Sequence, residues 1–273
     1  MTDNLKQGTP LHDWLLEVEK KPKQRWIIKG LVPPGAYVLM SGQRKATRKT
    51  SFAQTIAIAI ATGVKHQILE PMEKGKVFFV LEEGTEQEER FKILALCKAL
   101  KITDLILLNN IYFFFQRGFK LDHPEMSDQL VAMVKKEEPL LVIMDPFFRM
   151  LLGNENQQED VNLAFDCVYK IRALGTAVIV ISHTNEGKGA SPKAPLDQQV
   201  RGSGVIKDGY DVHLALRRYE DGPGPIDFYI KSKYSEDRQY EINWTYIADV
   251  DEDGDAFVTW MLPDINEKNG IGF

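Results

Sequence analysis

Four short apolar runs, Ala36–Met40, Lys76–Leu81, Leu140–Met144 and Ala177–Ile181, recur along the chain and are separated by helix-length amphipathic segments. Runs that stay apolar without alternating read as strands buried on both faces. Their alternation with helices predicts a parallel sheet built from βαβ units. Three intervening helices have legible ends. Thr50–Gly63 closes on a glycine, and Asp160–Leu174 stops at Gly175. Thr85–Leu100 has acids in its first turn and a lysine in its last, as the helix dipole favours.

The pattern changes after about residue 210. Asp211–Leu216, Asp227–Lys231, Glu241–Ile247 and Ala256–Met261 are strand candidates joined by Gly, Pro and Asp clusters, which predicts antiparallel hairpins extending the sheet. Leu105–Phe115 is the most apolar stretch, and a buried strand is preferred there over an aromatic platform for bases. Asn185–Gln199, rich in Gly, Pro, Lys and Gln, reads as a loop following a strand end. Leu11–Lys20 reads as a small helix that docks either on a neighbour or on its own core.

A chain of 273 residues that is 44% apolar can bury one well-formed core with short decorations. We expect an extension over residues 1–24, the main domain over 25–262 and a tail over 263–273. The formal charge of −5 argues against a protein that coats nucleic acid through bulk positive charge, so any DNA contact must be local. Cys97 and Cys167 lie far apart in apolar surroundings without metal-ligand spacing, as core thiols of a reducing cytoplasm do. No apolar run reaches the ~18 residues that span a membrane, and the first residues lack a signal-peptide pattern. A soluble, cytoplasmic protein with no membrane partner is expected.

The chemistry begins at residues 42–51, GQRKATRKTS, directly after the first apolar run. A strand, then a loop ending in Lys-Thr, then a helix is the layout of a phosphate-binding loop, in which backbone N–H groups cradle phosphates, the lysine reaches them and the hydroxyl meets Mg²⁺. Lys49 and Thr50 take those places. Compared with G-x-x-x-x-G-K-[ST], there is one residue too many between Gly42 and Lys49, and Arg48 stands where the last glycine belongs. The alternative register, with Thr47 for the glycine and Arg48 for the lysine, puts Lys49 on the hydroxyl position and loses the Mg²⁺ ligand. Arg44, Lys45 and Arg48 make the loop strongly positive, which attracts a triphosphate by charge; a basic turn without nucleotide is the bland alternative.

Acids and a histidine stand at the ends of the later strands. Asp145 follows Leu140–Met144 at the carboxyl end of a buried strand, where parallel sheets bind ligands and where an aspartate can orient Mg²⁺ through water. Glu82-Glu83-Gly84 follows Lys76–Leu81, and a carboxylate there either takes a proton from an attacking water or serves as an acidic helix start. Ala177–Ile181 runs into Ser182-His183-Thr184, where the histidine either senses a terminal phosphate or is a hydrogen-bonded structural residue.

Together, Arg25–Gly35, the loop and its helix, Phe79–Gly84 with Arg90, Val142–Arg149, Asn154–Asn156, Gly175–Thr184, Arg201–Asp208, Leu214–Arg218 and Lys231–Tyr234 resemble, in order and spacing, the RepA-like hexameric helicase branch of the RecA-type ATPases. The resemblance implies an α/β RecA-like core, with a mostly parallel twisted sheet flanked by helices and C-terminal antiparallel hairpin strands. It also implies a homo-oligomeric ring, a hexamer, with ATP and Mg²⁺ at subunit interfaces and single-stranded DNA as a partner. Carried over, Gly42, Arg44, Lys45, Arg48, Lys49, Thr50 and Ser51 bind nucleotide, Thr50 and Asp145 hold Mg²⁺, Glu82 activates water and His183 reads the γ-phosphate. Lys188 and Lys193 lie in the segment that lines a ring's channel and would touch DNA. Lys231 and Lys233 match basic residues that reach a neighbour's phosphates, and Arg201 either anchors a loop near the interface or forms a surface ion pair. Asp211 stands where relatives have an arginine that acts across the interface. With Arg48, that departure leaves a second possibility, a catalytically impaired ring that serves as scaffold or regulator. A third, a nucleotide-gated signalling protein of the KaiC kind, shares the same fold.

Overall fold

The apolar runs form β1 (Tyr37–Gly42), β2 (Val77–Leu81), β4 (Leu141–Asp145) and β5 (Ala177–His183), each buried along its whole length. With β3 (Ile111–Phe115), β6 (Val212–Arg217), β7 (Ile226–Ser232), β8 (Arg238–Val250) and β9 (Ala256–Glu267) they make one sheet, in the order β3-β2-β4-β5-β1-β6-β7-β8-β9. The structure is a computed structural model that describes residues 9–20, 26–184, 196–218 and 224–268. Strands β3 to β6 in that order pair in parallel, and pairing becomes antiparallel from β6 to β9. The segment expected to open the hairpins is thus a parallel partner of β1. β9 continues to Glu267, five residues past the expected end of the domain at 262.

Helices cover both faces. α2 (Lys49–Thr62) is buried at all but one position, because Phe52, Ile56 and Ile60 pack on the sheet while Ile58 meets α3 (Glu86–Ala99). α3 starts at Thr85, whose hydroxyl accepts the N–H of Glu88, and α2 ends at Gly63 in a left-handed turn. On the other face, α4 (Pro124–Glu137) and α5 (Gln158–Ala173) pack Leu130, Val134, Phe165 and Val168 against Phe78, Val80, Val142 and Val180. Two short helices, α6 (Leu196–Gln199) and α7 (Gly204–Asp208), lie between β5 and β6.

Two expected features differ. Leu105–Asn110 is a 3₁₀ turn capped by Asp104, and only Ile111–Phe115 is strand, half-buried because β3 lies at the sheet edge with β2 as its partner. The early helix α1 (Leu11–Glu19) has no buried residue, so it does not dock on its own core. Cys97 and Cys167 are buried free thiols, as expected.

The amino-terminal edge of the sheet is tied by Asp211. Its carboxylate accepts the backbone N–H of Tyr37 at 2.9 Å, pairs with Arg172 on α5 at 2.5 Å and with Lys233 at 3.2 Å, while its own N–H donates to Tyr37 O. The residue that replaces an expected arginine is therefore a structural anion at the end of β1 remote from the loop. Breaking a buried ion pair leaves a charge without its counter-ion and costs about 3 kcal/mol or more. We expect Asp211→Ala to lower the unfolding free energy by about 3 kcal/mol in urea denaturation, with Asp211→Asn, which can still accept the Tyr37 N–H, recovering part of the loss.

Candidate nucleotide site

Side chains alternate along a strand, so residues two apart share a face. Met40, Leu81, Ile143 and Ile181 all belong to the core on the α2 side. Two residues further along come Gly42, Glu83, Asp145 and His183. Because the strands are parallel, these four positions gather at one edge, beside the N-terminus of α2. There they adjoin a cavity of about 630 Å³, lined by Glu83, Asp145 and His183 together with Arg44, Lys45, Arg48, Lys49, Thr50 and Ser51.

The loop holds its shape by internal contacts. Lys49 is buried, and its Nζ donates to the carbonyls of Gly42 (2.8 Å) and Gln43 (2.9 Å). Thr47 Oγ1 also donates to Gln43 O, at 3.0 Å. A Cβ at Gly42 would come within 2.5 Å of Thr47 Oγ1 and 2.7 Å of Leu216 O, so only glycine fits beneath the turn. Gly42 shapes the loop from below and does not line the cavity. Arg48 has φ 50° and ψ 40°, the left-handed conformation a glycine would supply, at a cost of about 1–2 kcal/mol. The missing glycine therefore leaves the backbone path intact.

Two side chains at this cavity have buried polar atoms without hydrogen-bond partners. Asp145 is almost fully buried, and its Oδ2 has no hydrogen-bond partner. Burial drives its pKa up to about 7, opposed by a hydrogen bond from Thr50, raised further by Glu83 and lowered by Lys49. Both ring nitrogens of His183 are buried without partners, and burial, then the charges of Lys49, Arg44 and Arg201, push its pKa down to about 4. The imidazole is neutral at pH 7, with one donor and one acceptor. Its ring lies 5.5 Å from that of Phe148.

Several expected site residues lie elsewhere. Glu82 points to the other face, where its carboxylate accepts the N–H groups of Gly118 and Phe119, each at 3.1 Å. The cavity carboxylate after β2 is Glu83. Strand alternation accounts for the exchange: Glu83, two residues past Leu81, stays on the α2 side, and Glu82 does not. Lys231 pairs in register with His213 on β6 and alternates with Ile230, so it faces away from the cavity. Lys233 is held by Asp211 at the far edge. Arg201 pairs with Glu155 at 2.6 Å, and its N–H donates to His183 O. Lys188 and Lys193 lie outside the described residues. Besides Glu83, sequence reasoning missed Glu89, Lys92 and Arg149, which also line the cavity. Glu89 is buried, accepting from Gln54 and Lys92.

A cationic loop at a helix N-terminus, with a hydroxyl and a buried carboxylate beside it at the carboxyl edge of a parallel sheet, defines a P-loop ATPase of RecA-like fold. A family model described as AAA domain matches residues 6–189, and the chain belongs to that family. The fold is also similar to that of a KaiC-like protein from the hyperthermophilic archaeon Pyrococcus horikoshii OT3, at 15% sequence identity and a TM-score of 0.53, over 86% of this chain and 99% of that one. No curated protein matches the sequence. Among the described residues, no helix is long and apolar enough to cross a membrane.

The orphaned Asp145 oxygen and the Thr50 hydroxyl form a donor set of the kind Mg²⁺ uses when it arrives with phosphates and keeps most of its waters. Asp145 titrates near 7 in the folded chain, against an ordinary value of 3.8. Folding therefore favours its protonated form, and the stability this contributes at low pH is lost as pH rises through about 7. A cation needs the ionised form. Mg²⁺-dependent ATP binding should therefore strengthen between about pH 6 and pH 8 in titration calorimetry, and Asp145→Asn should remove that pH dependence.

Proposed function

We propose that the chain binds Mg²⁺–ATP in this cavity and hydrolyses it. The observation that supports the reading most is the meeting of Lys49, Thr50, Glu83, Asp145 and His183 at one edge of the sheet. On binding, Lys49 exchanges the loop carbonyls for phosphate oxygens, and Arg44 and Lys45 add positive charge at the rim. Thr50 and the ionised Asp145 would hold Mg²⁺, which would supply charge neutralisation on the phosphates. Glu83 takes the proton of the attacking water, and neutral His183 offers its ring N–H to the terminal phosphate.

The motif order further supports a ring motor, a hexamer, acting on single-stranded DNA. In that arrangement Lys231 and Arg201 serve the subunit interface, and Lys188 and Lys193 contact the DNA backbone. Lys231 faces away from its own cavity, which supports a role toward a neighbouring subunit over one in its own site. The scaffold alternative is disfavoured by Arg48, which keeps a glycine's backbone conformation. Asp211 no longer speaks for it either, since its carboxylate is engaged in folding.

Lys49→Ala should abolish ATP binding. Glu83→Gln should bind normally but turn over at least about 100-fold more slowly, whereas Glu82→Gln should turn over at the parent rate. Steady-state ATP turnover with and without single-stranded DNA, alongside the mass of the oligomer, checks both levels. Turnover in Glu83→Gln equal to that of the parent would remove Glu83 as the base.

A further inference from the structure

Arg48 does two things at once. Its backbone takes the left-handed turn before α2, while its guanidinium reaches the C-terminal hairpin, 5.0 Å over the ring of Tyr246 on β8 and 3.8 Å from the sulfur of Met261 on β9. Met261 is fully buried in a cluster with Ile58 of α2 and Leu96 of α3, so the far end of this arginine rests on a packed surface. Stacking of Phe91 on Phe257, with centroids 4.5 Å apart, fixes the hairpin to α3 as well. The start of the loop is tied in the same direction. The side chain of Gln43 donates to Arg218 O at 2.6 Å and accepts Arg218 N–H at 2.9 Å, like an added rung at the end of β6.

We propose that Tyr246 is a positioning residue for the phosphate loop: it holds the Arg48 guanidinium, and thereby keeps the loop backbone in its phosphate-binding turn. The hairpin lies beyond residues 6–189, the segment the family model matches, so this tether belongs to this chain's own C-terminal strands. It offsets the cost of an arginine in a left-handed turn, because that conformation is kept only where surrounding contacts over-determine it. A cation over an aromatic face contributes enough to change affinity a few-fold. The inference rests on the nucleotide-binding reading of the cavity.

The test compares Mg²⁺–ATP with Mg²⁺–tripolyphosphate, which has no base or ribose, by titration calorimetry. Tyr246→Leu should weaken both about fivefold, while Tyr246→Phe, which keeps the aromatic face, stays at the parent value. In an Arg48→Gly background, Tyr246→Leu should leave tripolyphosphate affinity unchanged. Thermal unfolding of every variant separates loop positioning from loss of the fold, and Tyr246 is half exposed, so its midpoint should move little. Loss of ATP affinity alone would show that Tyr246 touches the nucleoside directly and overturns the proposal. An equal loss in the Arg48→Gly background overturns it too, since the effect would not pass through the arginine. A parent protein that binds neither probe sinks the nucleotide reading itself, and the tether's role with it.

Discussion

The site depends on one geometric constraint: β1, β2, β4 and β5 run in parallel with their side chains in phase. Parallel pairing brings four carboxyl ends to the same edge, and the two-residue period puts Gly42, Glu83, Asp145 and His183 on the face that α2 covers. A shift of one residue in any of these strands would send its polar terminus to the opposite face. Glu82 shows this directly. One residue out of phase, its carboxylate caps Gly118 and Phe119 instead of entering the cavity.

The same packing sets the electrostatics. Asp145 and His183 are buried at strand ends beside a cationic loop, and desolvation is the first cause of both shifts, upward for the acid and downward for the base. Each keeps polar atoms without partners, a costly condition in a folded core that a bound ion or phosphate would relieve. Lys49 meanwhile holds the loop by donating to its carbonyls. The loop's shape is thus fixed by contacts within the chain.

The opposite edge and the C-terminal strands serve the fold. Asp211 draws together the start of β1, Arg172 of α5 and Lys233, so a position that looked like a lost catalytic arginine is an anchor for three elements. The hairpin of β8 and β9 covers α3 and reaches Arg48, which links the last strands of the chain to its first loop. The departure at Arg48 and the presence of that hairpin are thus physically connected.

The local elements, and the chemistry available to them, are written in the order of the residues. Continuous apolar runs cannot be exposed, so they had to become buried strands; the caps at Thr85 and Gly63 are set by local backbone geometry; and the loop register on Lys49 and Thr50 follows from which hydroxyl can meet a cation. Glu83 was missed, although counting in twos from Leu81 separates it from Glu82. Other features depended on partners far away in the chain. The half-burial of β3 follows from its place at the sheet edge, and the parallel pairing of β6 from the gap beside β1. The duties of Asp211 and Arg48 depend on Arg172 and Tyr246, residues that no spacing rule connects to them. These features emerge on folding, because burial, desolvation and long-range charge are properties of what packs around a residue and not of its neighbours in sequence.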